Sequence, residues 1–435
     1  MKRILKVSVI TVGCKVNQSE SDSLMDLLVD RGYKIVNKKE PADFVIINSC
    51  AVTRQAEAKT RGAIALARRV SPGAKIVVTG CYSQKVPEEV KSIKGVDFVV
   101  GNVEKSRIVE FIEHMRTGQN SSMGGIAVSS DPGLGQFISV PKVYRKFRTR
   151  AFLKVQDGCS YRCSYCIVPR LRGNTRSRDI YDCIEEAKKL VDGGYKEIVV
   201  TGINIGTYRS RGFDLSGLVK ELLKIDGIGR IRLSSVEPDL INDELIELVS
   251  SEKKVCSHFH VPLQHADDRI LARMKRRYTI RHFTDKIEKI FSHGRNVCVG
   301  TDVIVGFPGE DLEAFRNLFS YLKEYPFAYF HVFRFSERES TPAADFDGKV
   351  DEEEKKRRAK KLQALSVEKR REYLKSQENR IVEVLFEKYK ECVNEGLSDN
   401  YVRVMLRSRS NLENMFVNVR LLKSHEKYVE GEKID

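Results

Sequence analysis

The stretch Asp157-Gly158-Cys159-Ser160-Tyr161-Arg162-Cys163-Ser164-Tyr165-Cys166 carries three thiols in ten residues, at C-x3-C-x2-C spacing. Four thiolates would close a tetrahedral zinc site or fill every iron of a cubane cluster. Three leave one iron without a protein ligand and free to bind something reactive, so the spacing points to chemistry and not to scaffolding. A structural zinc site completed by a distant His or Cys is the alternative.

Around this loop the chain alternates apolar strand-like runs with amphipathic helical stretches. Candidate strands are Ala151 to Gln156, Glu197 to Thr201, Arg230 to Ser234, His258 to Pro262, Val297 to Val305 and Tyr329 to Phe335. Six βα units fit an incomplete α/β barrel, whose active face is formed by the carboxyl ends of its strands. Cys159 closely follows the first of these strands, which puts the loop on that face.

A second α/β pattern precedes it. Leu5 to Val12, Phe44 to Asn48, Lys75 to Thr79 and Val96 to Val100 read as strands, with helices from about Ser19 to Arg31 and Ala56 to Arg69. This predicts a small doubly wound parallel sheet. Cys14, Cys50 and Cys81 each come just after one of its first three strands, 36 and 31 residues apart. The carboxyl ends of such strands share one edge, where ligands bind, so three distant cysteines are expected at one place. Three unrelated strand-end thiols are the alternative.

The Gly- and Ser-rich stretch Thr117 to Gln136, with Asp131-Pro132-Gly133, reads as a linker. Asp351 to Lys375 is charged and helical in pattern, a connector. Beyond it Arg380 to Phe386, Asn400 to Leu406 and Phe416 to Leu421 alternate like strands of a small β-barrel, on which Tyr401, Arg403, Arg407 and Arg409 are candidates to hold RNA. The expected division is therefore 1–116, a small α/β domain; 117–148, linker and basic segment; 149–350, the incomplete barrel; 351–376, the helical connector; and 377–435, the β-barrel.

No apolar stretch in the 435 residues approaches a membrane span, and the first residues read as a strand and not a signal peptide. Ten cysteines, several clustered, suit metal ligation in a reducing cytoplasm better than a disulfide framework. The net charge is +16, and between Pro141 and Ile180 eleven Lys or Arg face only Asp157 and Asp179, a local excess of nine. A polyanion would be drawn toward the cysteine loop, which favours a nucleic-acid substrate. A solvated basic face is the alternative.

The three-cysteine loop, the Tyr before its last Cys and its place after the first barrel strand resemble the radical S-adenosylmethionine superfamily. That resemblance implies a [4Fe-4S] cluster on Cys159, Cys163 and Cys166, with S-adenosylmethionine on the open iron as the source of a 5′-deoxyadenosyl radical. Gly13-Cys14-Lys15-Val16-Asn17-Gln18, Thr79-Gly80-Cys81-Tyr82-Ser83-Gln84, Ile167-Val168-Pro169 through Arg172-Gly173 to Arg176-Ser177-Arg178, Thr201-Gly202-Ile203-Asn204, Gly306-Phe307-Pro308-Gly309-Glu310 and Phe335-Ser336-Glu337-Arg338 resemble the methylthiotransferases within it. The likeness implies a second [4Fe-4S] cluster on Cys14, Cys50 and Cys81 that carries the sulfur, and a terminal TRAM-like RNA-binding barrel. It also implies that Thr201, Gly202 and Asn204, with Ser234 and Glu237, meet S-adenosylmethionine; turn chemistry at strand ends is the alternative. Arg172, Arg176 and Arg178 are candidate substrate contacts, because guanidinium suits planar anions, or else salt-bridge partners. Where the family commonly has Ser-Gly-Ser after Pro-Leu-Gln, this chain has His265-Ala266-Asp267 after Pro262-Leu263-Gln264.

Gly13 to Gln18 and Ala56-Glu57-Ala58-Lys59-Thr60-Arg61 resemble the branch that adds a methylthio group to threonylcarbamoyl-adenosine beside the tRNA anticodon. The partner implied is the tRNA anticodon stem-loop; the sulfur source and electron donor are not specified by these residues. Other branches act on isopentenyl-adenosine in tRNA or on a ribosomal-protein aspartate. A non-catalytic iron-sulfur RNA-binding protein and a zinc-containing RNA-binding protein are the readings from other classes.

Overall fold

The computed structural model describes residues 3–117, 125–144, 149–293 and 296–434. Strands β1 (Lys6–Thr11), β2 (Lys34–Val36), β3 (Phe44–Ser49), β4 (Lys75–Gly80), β5 (Phe98–Val100) and β6 (Ile126–Ala127) form one parallel sheet in the order β2-β1-β3-β4-β5-β6. Val45, Ile46, Ile47, Ile76, Val77 and Val78 are buried on both faces, as a helix-covered parallel sheet requires. The strand order reverses between β1 and β3, the topological switch point at which such sheets bind ligands.

The stretch read as a linker supplies β6, the sixth strand, which pairs with β5 through Val99 and Val100. Two residues of strand are too short to register as a periodic signal. Residues 118–124 of that stretch lie outside the described residues, as do Arg145, Lys146 and Arg148 of the basic run.

The central body is built on β7 (Arg150–Lys154), the short antiparallel pair β8 (Gln156–Asp157) and β9 (Arg176–Ser177), then β10 (Glu197–Thr201), β11 (Arg230–Leu233), β12 (His258–His260), β13 (Cys298–Val305) and β14 (Tyr329–Arg334). Six of these strands run parallel, as β11-β10-β7 and β12-β13-β14, with a bridge from Ile231 to Val255 joining the halves. The six strands expected from sequence are thus present, in an open barrel. The helix Lys15–Asp30 of the first domain packs on β7, and Ser19 Oγ donates to the Phe152 carbonyl at 3.1 Å.

The charged connector is a helix, Glu352–Ser376, capped by Asp351, and it does more than connect. Ala359, Leu362 and Leu365 join the barrel core and Leu374 joins the core of the last domain. That domain is a closed barrel of β15 (Ile381–Lys390), β16 (Val393–Ser398), β17 (Arg403–Arg407), β18 (Phe416–Ser424) and β19 (Val429–Lys433), in the order β15-β16-β17-β19-β18. Two of its five strands, β16 and β19, escape the sequence pattern because Asn394, Gly396, Gly431 and flanking Glu residues interrupt the alternation.

The small barrel stops the amino-terminal mouth of the central one. Glu197, first residue of β10 and fully buried, receives Arg230 at 2.5 Å and Arg232 at 2.8 Å. The same arginines donate to the carbonyls of Leu397 (2.7 Å), Ser398 (2.9 Å) and Asp399 (2.9 Å) in the small barrel. Tyr401, expected to meet RNA, instead stacks on His258 with ring centroids 4.4 Å apart and lies against Tyr329. Arg403 pairs with Glu395, whereas Arg407 and Arg409 are exposed. No helix among the described residues is long and apolar enough to cross a membrane.

Candidate active site

Gly158 opens the three-cysteine loop in left-handed backbone, φ +67°, where a side chain would collide with the Asn174 carbonyl. The loop is pinned by main-chain bonds from Cys159 N–H to the Gly173 carbonyl (3.0 Å) and from Ser164 N–H to the Met274 carbonyl (3.1 Å). Its thiols are close enough to feel one another's charge. Burial, then the charge of Cys163, pushes the Cys166 thiol up to about 12, so a metal must displace its proton. Arg276, a residue no sequence signal marked, donates to Cys163 Sγ at 3.2 Å and pairs with Glu237. Only its place after the fourth strand could have hinted at it.

The second strand's end comes to the loop through Gln156. Its Oε1 accepts from Asn204 N–H at 2.7 Å, and its Nε2 donates to the Gly158 carbonyl at 2.7 Å. Gly202 lies so close to Gln156 that a Cβ would meet Oε1 at 2.8 Å. Thr201 Oγ1, Asn204 Oδ1 and Ser234 Oγ are buried without a hydrogen-bond partner among the described residues. Orphaned buried polar atoms are costly, and three around one thiol loop fit a polar ligand such as an amino acid moiety.

Cys14, Cys50 and Cys81 follow β1, β3 and β4 at the shared edge of the first sheet, two of them at the switch point. Cys14 is exposed, while Cys50 and Cys81 are buried. Gly13 and Gly80 make the close approach possible: both have positive φ, and a Cβ on Gly13 would lie 2.9 Å from Cys50 Cβ. Asn17 ties the turns together, donating to the carbonyls of Val12 (2.8 Å) and Ser49 (2.9 Å). Burial, then the charge of Cys81, pushes the Cys50 thiol up to about 12.

Beside this edge lies a buried charge hub that joins the two domains. Glu20 receives Lys105 at 2.5 Å, Lys154 at 2.7 Å and Arg172 at 2.8 Å; Asp157 receives Lys154 at 2.6 Å and Arg172 at 3.1 Å. Desolvation would raise the Asp157 pKa, but Arg172 and Lys154 outweigh it and hold the carboxyl down at about 2. Three cations against two carboxylates leave a buried positive excess beside Cys14 and Cys81, which suits a thiolate-bound, anionic iron-sulfur cluster.

The arginines expected to be substrate contacts or else salt-bridge partners have internal partners in this structure. Arg172 is 1% exposed and bonds Glu20, Asp157 and Asn17. Arg178 is buried on Glu186 at 2.6 Å, and Arg176 donates to the carbonyl of Arg172 at 2.8 Å. Of the basic run, Lys154, Arg172 and Arg178 are interior, whereas Lys142, Arg162 and Arg170 are exposed.

A cavity of about 180 Å³ lies between the two thiol sites, lined by Val52, Thr53, Cys166, Gln264, Asp302 and Phe333 among others. His265 is fully enclosed, its Nε2 3.4 Å from Glu310, so the departure at 264–267 builds interior structure beside this cavity. Glu310 in turn accepts from Gly306 N–H at 2.8 Å and from Arg358 at 2.5 Å, which makes the Gly306 to Glu310 motif a braced turn. Asp302 Oδ1 receives both His260 Nε2 (3.0 Å) and His331 Nδ1 (2.9 Å).

Residues 153–322 match the family model described as the Radical SAM superfamily, and 6–101 match that described as Uncharacterized protein family UPF0004. The chain is 38% identical, over 97% of its own length and 95% of the relative's, to the threonylcarbamoyladenosine tRNA methylthiotransferase MtaB of Bacillus subtilis (strain 168). It is 35% identical, over 92% of its length and 88% of the relative's, to the ribosomal protein uS12 methylthiotransferase RimO of Syntrophotalea carbinolica. Among solved structures, the radical S-adenosylmethionine methyltransferase TsrM from Kitasatospora setae, with cobalamin and a [4Fe-4S] cluster bound, superposes with TM-score 0.61 at 16% identity, covering 79% of this chain and 77% of that one. That likeness concerns the fold. Matching in both α/β domains and along nearly its whole length, the chain belongs to the radical S-adenosylmethionine methylthiotransferase family.

Proposed function

We propose that this enzyme adds a methylthio group to C2 of N6-threonylcarbamoyladenosine beside the anticodon of tRNA. The single observation that carries it is the pair of three-cysteine sites on the carboxyl edges of two α/β domains, with a cavity lined by Cys166 of one and by Val52 and Thr53, close after Cys50, of the other. Full-length likeness to the Bacillus subtilis relative, and to further relatives of that name, supports the choice of nucleoside.

The cofactors are two [4Fe-4S] clusters and S-adenosylmethionine. In this proposal Cys159, Cys163 and Cys166 hold the first cluster, and Thr201, Gly202, Asn204, Ser234 and Glu237 surround S-adenosylmethionine. When bound, this pair supplies radical hydrogen abstraction, which acid-base side chains cannot perform. Arg276 sets the charge beside Cys163 and orients Glu237. Cys14, Cys50 and Cys81 hold the sulfur-bearing cluster, with the Glu20 hub fixing its position relative to the first. The terminal barrel acts as a TRAM-like RNA support through exposed groups such as Arg407 and Arg409, and the enzyme works on tRNA in the cytoplasm.

Deleting the gene should remove 2-methylthio-threonylcarbamoyladenosine from cellular tRNA, read by nucleoside mass spectrometry. An unchanged profile would reject the assignment, and loss of 2-methylthio-isopentenyladenosine instead would move the enzyme to the other tRNA branch.

A further inference from the structure

Three neighbouring strands of the central body bring His260, Asp302 and His331 together. In the pairing of β12, β13 and β14, His260 stands opposite Gly300, Gly300 opposite Tyr329, and Asp302 opposite His331. Asp302 Oδ1 lies 3.0 Å from His260 Nε2 and 2.9 Å from His331 Nδ1, and one ligand atom from each residue falls within 4.8 Å of the others. Ligands about 2.0–2.1 Å from one ion, at angles between square and tetrahedral, stand about 2.9–3.4 Å apart. Both measured edges fit that span.

The outer partners suit an ion as well. The Tyr329 hydroxyl lies 3.3 Å from His260 Nδ1 and 2.9 Å from His258 Nε2. Burial holds His258 neutral, so its Nε2 can accept the Tyr329 proton while the Tyr329 oxygen accepts Nδ1–H of His260. That relay leaves the lone pair of His260 Nε2 aimed at Asp302, the tautomer a metal ligand needs. Gly300 makes the relay possible, because a side chain there would collide with the Tyr329 ring. His260 is buried and His331 is exposed, which gives an ion a held face and an entry path. Asp302 also lines the cavity that Cys166 and Thr53 share.

We propose that His260, Asp302 and His331 hold one zinc-class divalent cation, a third metal site distinct from both cysteine sets. Two imidazoles and one carboxylate leave a position open for an oxygen ligand, the pattern of zinc sites that do chemistry and not of closed structural ones. The site does not depend on which nucleoside the enzyme modifies.

The test titrates Zn²⁺ into full-length enzyme whose two clusters are already filled, so that the cysteines do not compete, and follows iron content throughout. Wild type should take up about one Zn²⁺ per chain by calorimetry without losing iron, and X-ray absorption at the zinc edge should show nitrogen and oxygen neighbours at about 2.0–2.1 Å, imidazole scattering and no sulfur. Tyr329→Phe should weaken this binding by about 10- to 100-fold, and His331→Gln and Asp302→Asn by more. His331 is exposed, so its replacement leaves the core packing alone. No zinc uptake by the wild type would overturn the inference, leaving a hydrogen-bonded triad. So would zinc with sulfur neighbours and released iron, or uptake unchanged in both His331→Gln and Asp302→Asn, the mark of an adventitious ion only.

Discussion

The two three-cysteine sites reach the same composition by opposite routes. Cys159, Cys163 and Cys166 come from one loop and are positioned by local turns, with Gly158 and the Gly173 carbonyl as anchors. Cys14, Cys50 and Cys81 come from three βα units and meet only when β1, β3 and β4 have paired. The spacing of the first site is therefore set locally, whereas that of the second depends on a folded sheet; the buried charge hub touches both, through Asp157 before the loop and Arg172 beside Cys14. On the proposed roles, the first would work as a unit without the second, but not the reverse.

The largest effects should separate the sites. Cys163→Ala should abolish both S-adenosylmethionine cleavage and methylthiolation, while Cys81→Ala should abolish methylthiolation yet leave reductive cleavage to 5′-deoxyadenosine. Each variant should reconstitute with about four irons instead of about eight. Loss of cleavage in the Cys81→Ala enzyme would break the asymmetry.

Next comes the hub. Arg172→Met removes the hydrogen bonds Glu20, Asp157 and Asn17 receive from it, while Lys105 and Lys154 still balance the two carboxylates, and should destabilise the protein by about 1–3 kcal/mol, read by chemical denaturation. The first-domain cluster should be lost before the other, since Arg172 lies beside Cys14 and Cys81.

The hub also predicts a pH dependence. The Asp157 carboxyl is held at about 2 in the fold against a usual 3.8, a depressed value. Its contribution is present above the unfolded value and is lost as pH falls from about 4 toward 2, on the order of 2 kcal/mol. Acid unfolding of Asp157→Asn should show a shallower dependence across that window than wild type.

The smallest effect belongs to the far end of the molecule. Arg407→Ala on the exposed face of the small barrel should weaken tRNA binding uniformly across substrates and reduce the salt slope by about one. An unchanged slope would place the RNA elsewhere.

The contrast between the sites also explains what the sequence could reveal. The barrel strands were legible because Ile198, Val199 and Val200, and likewise Val303 to Val305, are runs buried on both faces. The second cysteine site was legible because each Cys falls one βα unit after the last. Arg172 was not, since an arginine beside a thiol loop reads the same whether its partner is a substrate anion or Glu20, 152 residues away. Tyr401 misled in the same manner: an aromatic on a small barrel suits RNA stacking, but His258 reaches it first.

The small barrel wedged into the amino-terminal mouth of the central one has a geometric consequence. With Arg230 and Arg232 bonded to the carbonyls of Leu397, Ser398 and Asp399, the two barrels are bolted together and not tethered. On the proposed role of the small barrel, an RNA resting on its outer strands would be held at a set span from Cys163, so that length and not search would select the nucleotide.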